Sequence, residues 1–225
     1  MQRRRSQRGL SLIELMVGVV ISLFIAAAGA TLLASHLREN RSLLLEARLM
    51  QDLRTAADLV SRELRRAGFW GSAADGVWHA GTTGTTANPY AAVAPATAAS
   101  DAVSFRYSRD VTENHLLDSN EQFGFRLRKG AIEIQLGAGN WQALTDAGTL
   151  QIMQFELTPT VQAVSLAAFC PTPCPPGATT CPPMQQVRSL EIVVTGRLVA
   201  DPAVLRSMRS TVRLRNDAVV GACAT

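Results

Sequence analysis

Residues 8–34, RGLSLIELMVGVVISLFIAAAGATLLA, decide the organisation of this chain. The run 15–34 is 20 residues long and carries no charged side chain, which is about the length that an α-helix needs to cross the ~30 Å hydrocarbon core of a bilayer. One carboxylate, that of Glu14, directly precedes the run. Because an unpaired carboxylate is costly in an apolar environment, we expect Glu14 to have a partner and a function.

The net charge of the chain is concentrated before this helix. The formal net charge is +4, but four arginines lie in the first eight residues, and without them 18 basic residues balance 18 acidic residues. These four are Arg3, Arg4, Arg5 and Arg8. Positive charge is retained on the cytoplasmic side, so we expect the chain after residue 34 to cross the membrane. The balanced remainder gives no direct evidence for nucleic-acid binding, which needs a basic patch in the folded domain.

The segment GLSLIELM, residues 9–16, resembles the signal sequence of type IV prepilins and type II secretion pseudopilins. The shared pattern is a basic leader that ends in glycine, a cleavage point, an apolar residue, and glutamate as the fifth residue after the cut. This resemblance implies that prepilin peptidase cleaves between Gly9 and Leu10 and methylates the new amine of Leu10. Leucine stands where these families usually have phenylalanine. The alternative is an uncleaved signal anchor with a chance glutamate.

After such a cut, the amine of Leu10 would be the natural counter-charge of Glu14. A buried charge is costly alone and tolerated when it is paired, so pairing between neighbouring subunits would fix the stagger of their helices. We therefore predict that Glu14 sets the register of assembly. Small residues on the same helix, such as Gly18 and Gly29, would let neighbouring helices approach closely.

Residues 35–67 are predicted to continue the helix with a single apolar face. Apolar residues recur every seven positions, and a second series lies three residues further on, which is the spacing of one helix stripe. The two series are Leu43, Met50, Ala57 and Leu64, and Leu53, Val60 and Ala67. The segment VSRELRRAGFWG, residues 60–71, resembles the end of the long helix in PilW-type minor pilins, and minor pseudopilins of the J type have a related ending. Gly68 is predicted to end the helix, and Phe69 and Trp70 to pack between the helix and the head.

Residues 68–225 are predicted to form a globular head built on an antiparallel sheet. Alternating apolar residues in QFGFRLRKGAIEIQL, residues 122–136, predict a hairpin that turns at Lys129 and Gly130 and pairs Leu127 with Ile132. Further strands are predicted at 102–108, 150–157, 189–199 and 207–215. The STVRLRN segment, residues 210–216, also resembles the closing strand of PilW-like proteins. Residues 72–100 are predicted to be a long loop that carries His79 at the surface.

Four cysteines lie in the last quarter of the chain: Cys170, Cys174, Cys181 and Cys223. Three of them fall in a Cys- and Pro-rich segment, 161–186, that we predict to be an exposed loop. An even number of cysteines beyond a membrane helix predicts two disulfides in an oxidising compartment. A zinc site is the alternative, although the C-x3-C-x6-C spacing lacks the usual C-x2-C pair and no histidine lies nearby. Four cysteines allow three pairings, and the sequence does not choose among them. The loop is either a partner-facing surface or simple bracing.

The sequence as a whole predicts an α+β fold in four segments. These are a leader (1–9), a transmembrane and assembly half of the helix (10–34), an amphipathic half (35–67) and the head (68–225). The three histidines are far apart in the chain, and no nucleophile elbow, phosphate-binding loop or zinc-protease motif is present. We therefore predict a structural protein that is not an enzyme and needs no cofactor or metal.

The resemblance to minor pilins implies a specific role and specific partners. It implies insertion in the bacterial inner membrane with a periplasmic head, cleavage by prepilin peptidase, and initiation of pilus assembly at or near the tip of a surface fibre. Partners would be other minor pilins, the major pilin and the inner-membrane assembly platform, with a tip adhesin as a further candidate. Two alternatives stay open: a minor pseudopilin of a type II secretion system, and a membrane-anchored monomeric binding protein.

Overall fold

The computed structural model describes residues 11–76 and 86–224, and in them one long helix is followed by eight strands. The helix is α1 (Leu12–Leu64). The strands are β1 (Ala102–Arg106), β2 (Gln122–Arg128), β3 (Ala131–Leu136), β4 (Trp141–Ala143), β5 (Leu150–Ser165), β6 (Met184–Leu198), β7 (Leu205–Arg213) and β8 (Ala218–Val220). All strand pairs are antiparallel, and α1 packs against the sheets, which confirms the α+β class. The chain divides into two compact units between Ala47 and Arg48.

The first unit contains the apolar part of α1. Within the described residues, α1 is the one helix that is long and apolar enough to cross a membrane. Its large apolar side chains between Leu12 and Leu37 are 50–78 % exposed. The predicted leader and the cleavage residues Gly9 and Leu10 lie outside the described residues.

In the second unit, the end of α1 supplies a buried stripe to the core. The stripe consists of Leu49, Leu53, Ala56, Ala57, Val60 and Leu64. Four of these were predicted, but Leu43 is exposed, and Leu49 is more deeply buried than the predicted Met50. A strict seven-residue repeat drifts around a straight α-helix by ~20° per repeat, so a heptad pattern misplaces the far end of the stripe.

The helix ends slightly earlier than predicted. Its last α-helical residue is Leu64 rather than Ala67, and a turn follows at residues 65–68. Gly68 has φ +73°, the left-handed conformation that suits glycine after a helix end. Trp70 is buried as predicted, with 4 % exposure, but the prediction for Phe69 is wrong because its side chain is 50 % exposed.

Strands β1 to β4 form the first sheet, in that order. The β2–β3 hairpin has the predicted register, with Phe123, Phe125 and Leu127 opposite Leu136, Ile134 and Ile132. Its turn residues both have positive φ, 51° at Lys129 and 76° at Gly130, as a two-residue hairpin turn requires. Phe105 of β1 stacks on Phe123 and Phe125 of β2 in the core, and Tyr107, just after β1, stacks on Phe123 with ring centroids 3.9 Å apart.

Strands β5 to β8 form a second sheet, where a single sheet was expected. Its order is β5-β6-β7, and β8 pairs with β6 beyond the end of β7. The Ile152 N–H donates to Gly130 O, and Ser100 pairs with Leu157, so β5 lies beside the first sheet. Strand β6 passes under α1 at Gly196, where an added Cβ would lie 3.0 Å from Leu53 Cδ2.

The Cys- and Pro-rich loop is shorter than the predicted 161–186. Strand β5 runs on to Ser165 and β6 begins at Met184, so both ends of the predicted loop are paired strand. Residues 158–165, TPTVQAVS, are rich in β-branched side chains, which favour strand. The prolines after Cys170 exclude regular structure there, and the predicted loop was extended too far back, into residues 161–165. His79 lies outside the described residues.

Candidate functional site

Glu14 lies in the first turn of α1, where the Leu15 N–H donates to Ser11 O. The N-terminal end of a helix carries a partial positive charge that stabilises a carboxylate there. Around Glu14 the apolar side chains of Leu12, Ile13 and Leu15 are 58–78 % exposed. Among the described residues, no basic side chain forms an ion pair with Glu14. The carboxylate and its apolar surroundings are therefore open to partners outside this part of the chain.

Small residues leave gaps along the same helix. A Cβ added at Gly18 or at Gly29 would meet no other atom within 4 Å. Glycine in a helix interior costs about 0.5–1 kcal/mol relative to alanine, so two of them in one segment need a compensating contact. Closely approaching helices gain from such small residues in a membrane.

The four cysteines are joined in two disulfides at the far end of β5 and β6. Cys174 pairs with Cys181 across seven residues, and Cys170 pairs with Cys223 across 53. Of the three pairings that the sequence left open, the structure has this one. The long-range disulfide ties the segment after β5 to the segment after β8.

Gly221 brings the C-terminal segment against the cysteine loop. It has φ +90°, and a Cβ there would collide with Thr180 O. The next N–H, that of Ala222, donates to Thr180 O at 2.9 Å. Any larger residue at position 221 would force the two segments apart beside the Cys170–Cys223 disulfide.

Arg188 links three distant segments at the end of α1. Its Nη1 donates to Ala91 O at 2.7 Å and its Nη2 to Asn216 O at 2.9 Å, while Asn216 Nδ2 donates to Ala67 O. Burial lowers the pKa of Arg188, and the nearby Asp217 carboxylate opposes this effect. This role was not predicted, because an arginine within a strand usually points to solvent and its partners here are distant in the chain.

A second polar cluster surrounds the phenol of Tyr90. The Tyr90 hydroxyl lies 3.0 Å from Glu113 Oε1 and 3.4 Å from Glu121 Oε1. Burial, together with the hydrogen bond to Glu113, raises the pKa of Tyr90, so the phenol stays protonated and donates. Backbone N–H groups of Arg109 and Asp118 donate to Glu121, which is fully buried. Sequence reasoning missed this cluster because its members are far apart in the chain.

This carboxylate cluster organises a loop. Among the described residues, no group of three or more His, Cys, Asp or Glu side chains converges as a metal ion would require. Glu113 accepts hydrogen bonds from the Gly71 and His115 N–H groups, which joins the chain after α1 to the loop before β2.

The apolar N-terminal helix, its motif and the sheets packed on α1 define the class: a type IV pilin-like protein anchored by its first helix. A family model for the prokaryotic N-terminal methylation motif matches residues 4–30, which include Gly9, Leu10 and Glu14. A second model, described as prepilin peptidase-dependent protein B, matches residues 42–214, well over half of the chain. The chain therefore belongs to the prepilin peptidase-dependent protein B family.

No curated protein and no solved structure matches this chain. Neither matching family model is described as PilW-type, so that finer assignment stays a prediction. Processing by prepilin peptidase is supported by both matches.

Proposed function

We propose that this protein is a minor pilin of a type IV pilus, of the PilW type, which helps to initiate assembly at or near the tip. The observation that carries the proposal is Glu14: one carboxylate at the start of a helix whose apolar side chains are exposed along its first half. A helix that only anchors a monomer gains nothing from a carboxylate at the start of its apolar segment. A helix that must stack in register on other subunits gains a charge that can be paired between them.

The proposed mechanism starts with cleavage between Gly9 and Leu10. The new amine of Leu10 is positive, and in a stack of helices it pairs with the Glu14 carboxylate of a neighbouring subunit. Each pair removes two uncompensated charges from an apolar interior, and it does so in only one register. The small residues Gly18 and Gly29 allow the backbones to approach closely in that register.

The proposal includes location and partners. The head lies in the periplasm while the helix is in the inner membrane, and it is carried into the fibre on assembly. Its partners are other minor pilins, the major pilin and the assembly platform, and the head offers a surface for a tip adhesin. The chain is a substrate of prepilin peptidase and is not itself an enzyme.

Substitution of Glu14 tests the proposal. Glu14→Ala should leave precursor cleavage intact, because the cut precedes the helix, and should reduce surface fibres at least tenfold by counting and shearing. The matched control is Glu39→Ala, which removes an exposed carboxylate of the same helix beyond the apolar run. The control should assemble normally.

Other outcomes distinguish the alternatives. Normal piliation by Glu14→Ala would refute the assembly role of this residue. Normal piliation with impaired protein secretion would instead identify a minor pseudopilin of a type II secretion system. If Glu14→Ala changes neither the location of the protein nor the function of the pilus and the secretion system, a membrane-anchored monomeric binding protein would be favoured.

A further inference from the structure

The far end of the head is uncharged over a long stretch. Residues 157–187 contain no Asp, Glu, Lys or Arg, although β5 is exposed from Thr160 to Ser165 and most of the cysteine loop is exposed too. Protein surfaces typically carry about 25–35 % charged residues. We call the paired residues 159–165 of β5 and 184–190 of β6 the distal ribbon. Arg188 is the one charged residue of the ribbon, and its guanidinium donates to Ala91 O and Asn216 O. The β5 strand 159–165 is neutral, so no charge on it has to be desolvated in an interface.

One edge of the distal ribbon is open. Leu157 exchanges two backbone hydrogen bonds with Ser100, at 2.8 and 3.1 Å, so its backbone groups point away from β6. Along a strand the backbone N–H and C=O groups of successive residues point alternately toward β6 and away from it. The β5–β6 register is regular from Gln154 to Ser165, so this alternation is unbroken there. The backbone groups of residues 159, 161, 163 and 165 therefore also point outward.

These outward groups have no partner among the described residues. Val161, Ala163 and Ser165 each present an N–H and a C=O along the edge. Pro159 stands at the one outward position nearer the first sheet, where its missing N–H removes nothing from the β5–β6 ladder. Proteins usually protect such an edge with charged side chains, bulges or a covering segment. Beyond Pro159 this edge has none of these among the described residues.

The opposite edge of the distal ribbon is closed and braced. Strand β8 pairs with Met184–Gln186, and the Cys170–Cys223 disulfide holds the segment after β8 to the segment after β5. Cys174–Cys181 closes the loop between them. The open edge of β5 is therefore fixed in an extended conformation, which lowers the entropic cost of adding another strand.

We infer that this open edge pairs with the same edge of a second copy of the chain, as an antiparallel strand addition. In a two-fold pair the residue on the axis faces its own copy and every other residue faces another residue of the same strand, so a charge on the axis would face a like charge. The strand from Thr158 to Ser165 has no charge and is rich in threonine and valine. It is thus suited to face itself.

One register satisfies all the free groups. With Ala163 opposite Ala163 of the second copy, Val161 lies opposite Ser165, and each of these pairs exchanges two hydrogen bonds. Pro159 then lies outside the paired segment. The contact closes at two copies, so it is separate from the stacking of helices through Glu14 and does not depend on the proposed function.

The test uses the full-length protein in detergent micelles, with light scattering and sedimentation to determine its oligomeric state. Ala163→Pro removes the central outward N–H and leaves the β5–β6 ladder intact, whereas Ala163→Val keeps that N–H. We expect a dimer for the wild type and for Ala163→Val, and a dissociation constant at least tenfold weaker for Ala163→Pro. A monomeric wild type at its highest soluble concentration would overturn the inference.

A charge pair provides a second test that does not depend on the fold tolerating proline. Ala163→Lys and Ala163→Glu each place like charges opposite one another and should be monomeric when alone. A mixture of the two variants should recover the dimer, because lysine then faces glutamate. Amide exchange at Val161 and Ser165 should slow in the mixture. If Ala163→Pro and Ala163→Lys both remain as dimeric as the wild type, the copies pair elsewhere and the inference is wrong.

Discussion

At the scale of single residues, Glu113 and Glu121 show how this head stabilises carboxylates with backbone groups. Each accepts two backbone N–H groups, and both lie beside the hydroxyl of Tyr90. Hydrogen bonds to an ionised carboxylate are stronger than neutral ones, so they offset the loss of hydration. Glu14 is different, because among the described residues it has no such partner beyond its own helix end.

Glu113 should make the stability of the head depend on pH. Burial raises the pKa of Glu113, but hydrogen bonds from Ser108, Tyr90 and two backbone N–H groups outweigh it, and the pKa is lowered from its usual value. A carboxyl with a lowered folded pKa stabilises the fold above its unfolded pKa, and this contribution is lost as pH falls through the folded value. We expect the free energy of unfolding of wild type to fall more steeply below about pH 5 than that of Glu113→Gln. Urea unfolding at several pH values measures this.

A matched substitution controls for general acid effects. Glu39→Gln changes an exposed carboxylate and should leave the pH dependence of the wild type unchanged. Parallel curves for wild type and Glu113→Gln would contradict the role assigned to Glu113.

At the scale of elements, the sequence predicted those features that depend on local periodicity. The long helix, the glycine after its end and the register of the β2–β3 hairpin all follow from residues within one or two turns or a single hairpin. Features that depend on distant parts of the chain were not predicted. The Cys170–Cys223 disulfide and the hydrogen bond from Arg188 to Ala91 each join segments more than 50 residues apart. The strands of the two sheets have similar sequence patterns, so the division into two sheets could not be predicted from them.

The adjacent aromatics after α1 give a test of the packing at the helix end. Trp70 is 4 % exposed, its ring meets that of His115 edge-on at 5.7 Å, and Gly76 packs against it. Phe69 is 50 % exposed. We expect Trp70→Ala to lower the free energy of unfolding by about 3–5 kcal/mol, and Phe69→Ala by less than about 1 kcal/mol.

Chemical denaturation of the two variants in the same detergent measures the difference. Equal losses for Trp70→Ala and Phe69→Ala would contradict the contrast in burial between the two side chains. A large loss for Phe69→Ala alone would show that Phe69 is covered by a contact outside the described residues.

At the scale of the whole molecule, the chain combines an apolar anchoring helix with a braced head. The first unit exposes apolar side chains along its length and has one carboxylate at its start. The second unit buries its own stripe of α1 and has its core within two sheets. The first unit therefore needs a membrane or neighbouring helices to cover it, whereas the second is covered by its own chain.

The central claim, that this chain is processed and then built into a fibre, is tested most directly by mass spectrometry of its N-terminal peptide in sheared surface fibres. The account predicts a chain that begins at Leu10, carries a methyl group on its amine and is present in the fibre fraction. A chain that still begins at Met1, or a processed chain found only in the membrane fraction, would contradict it.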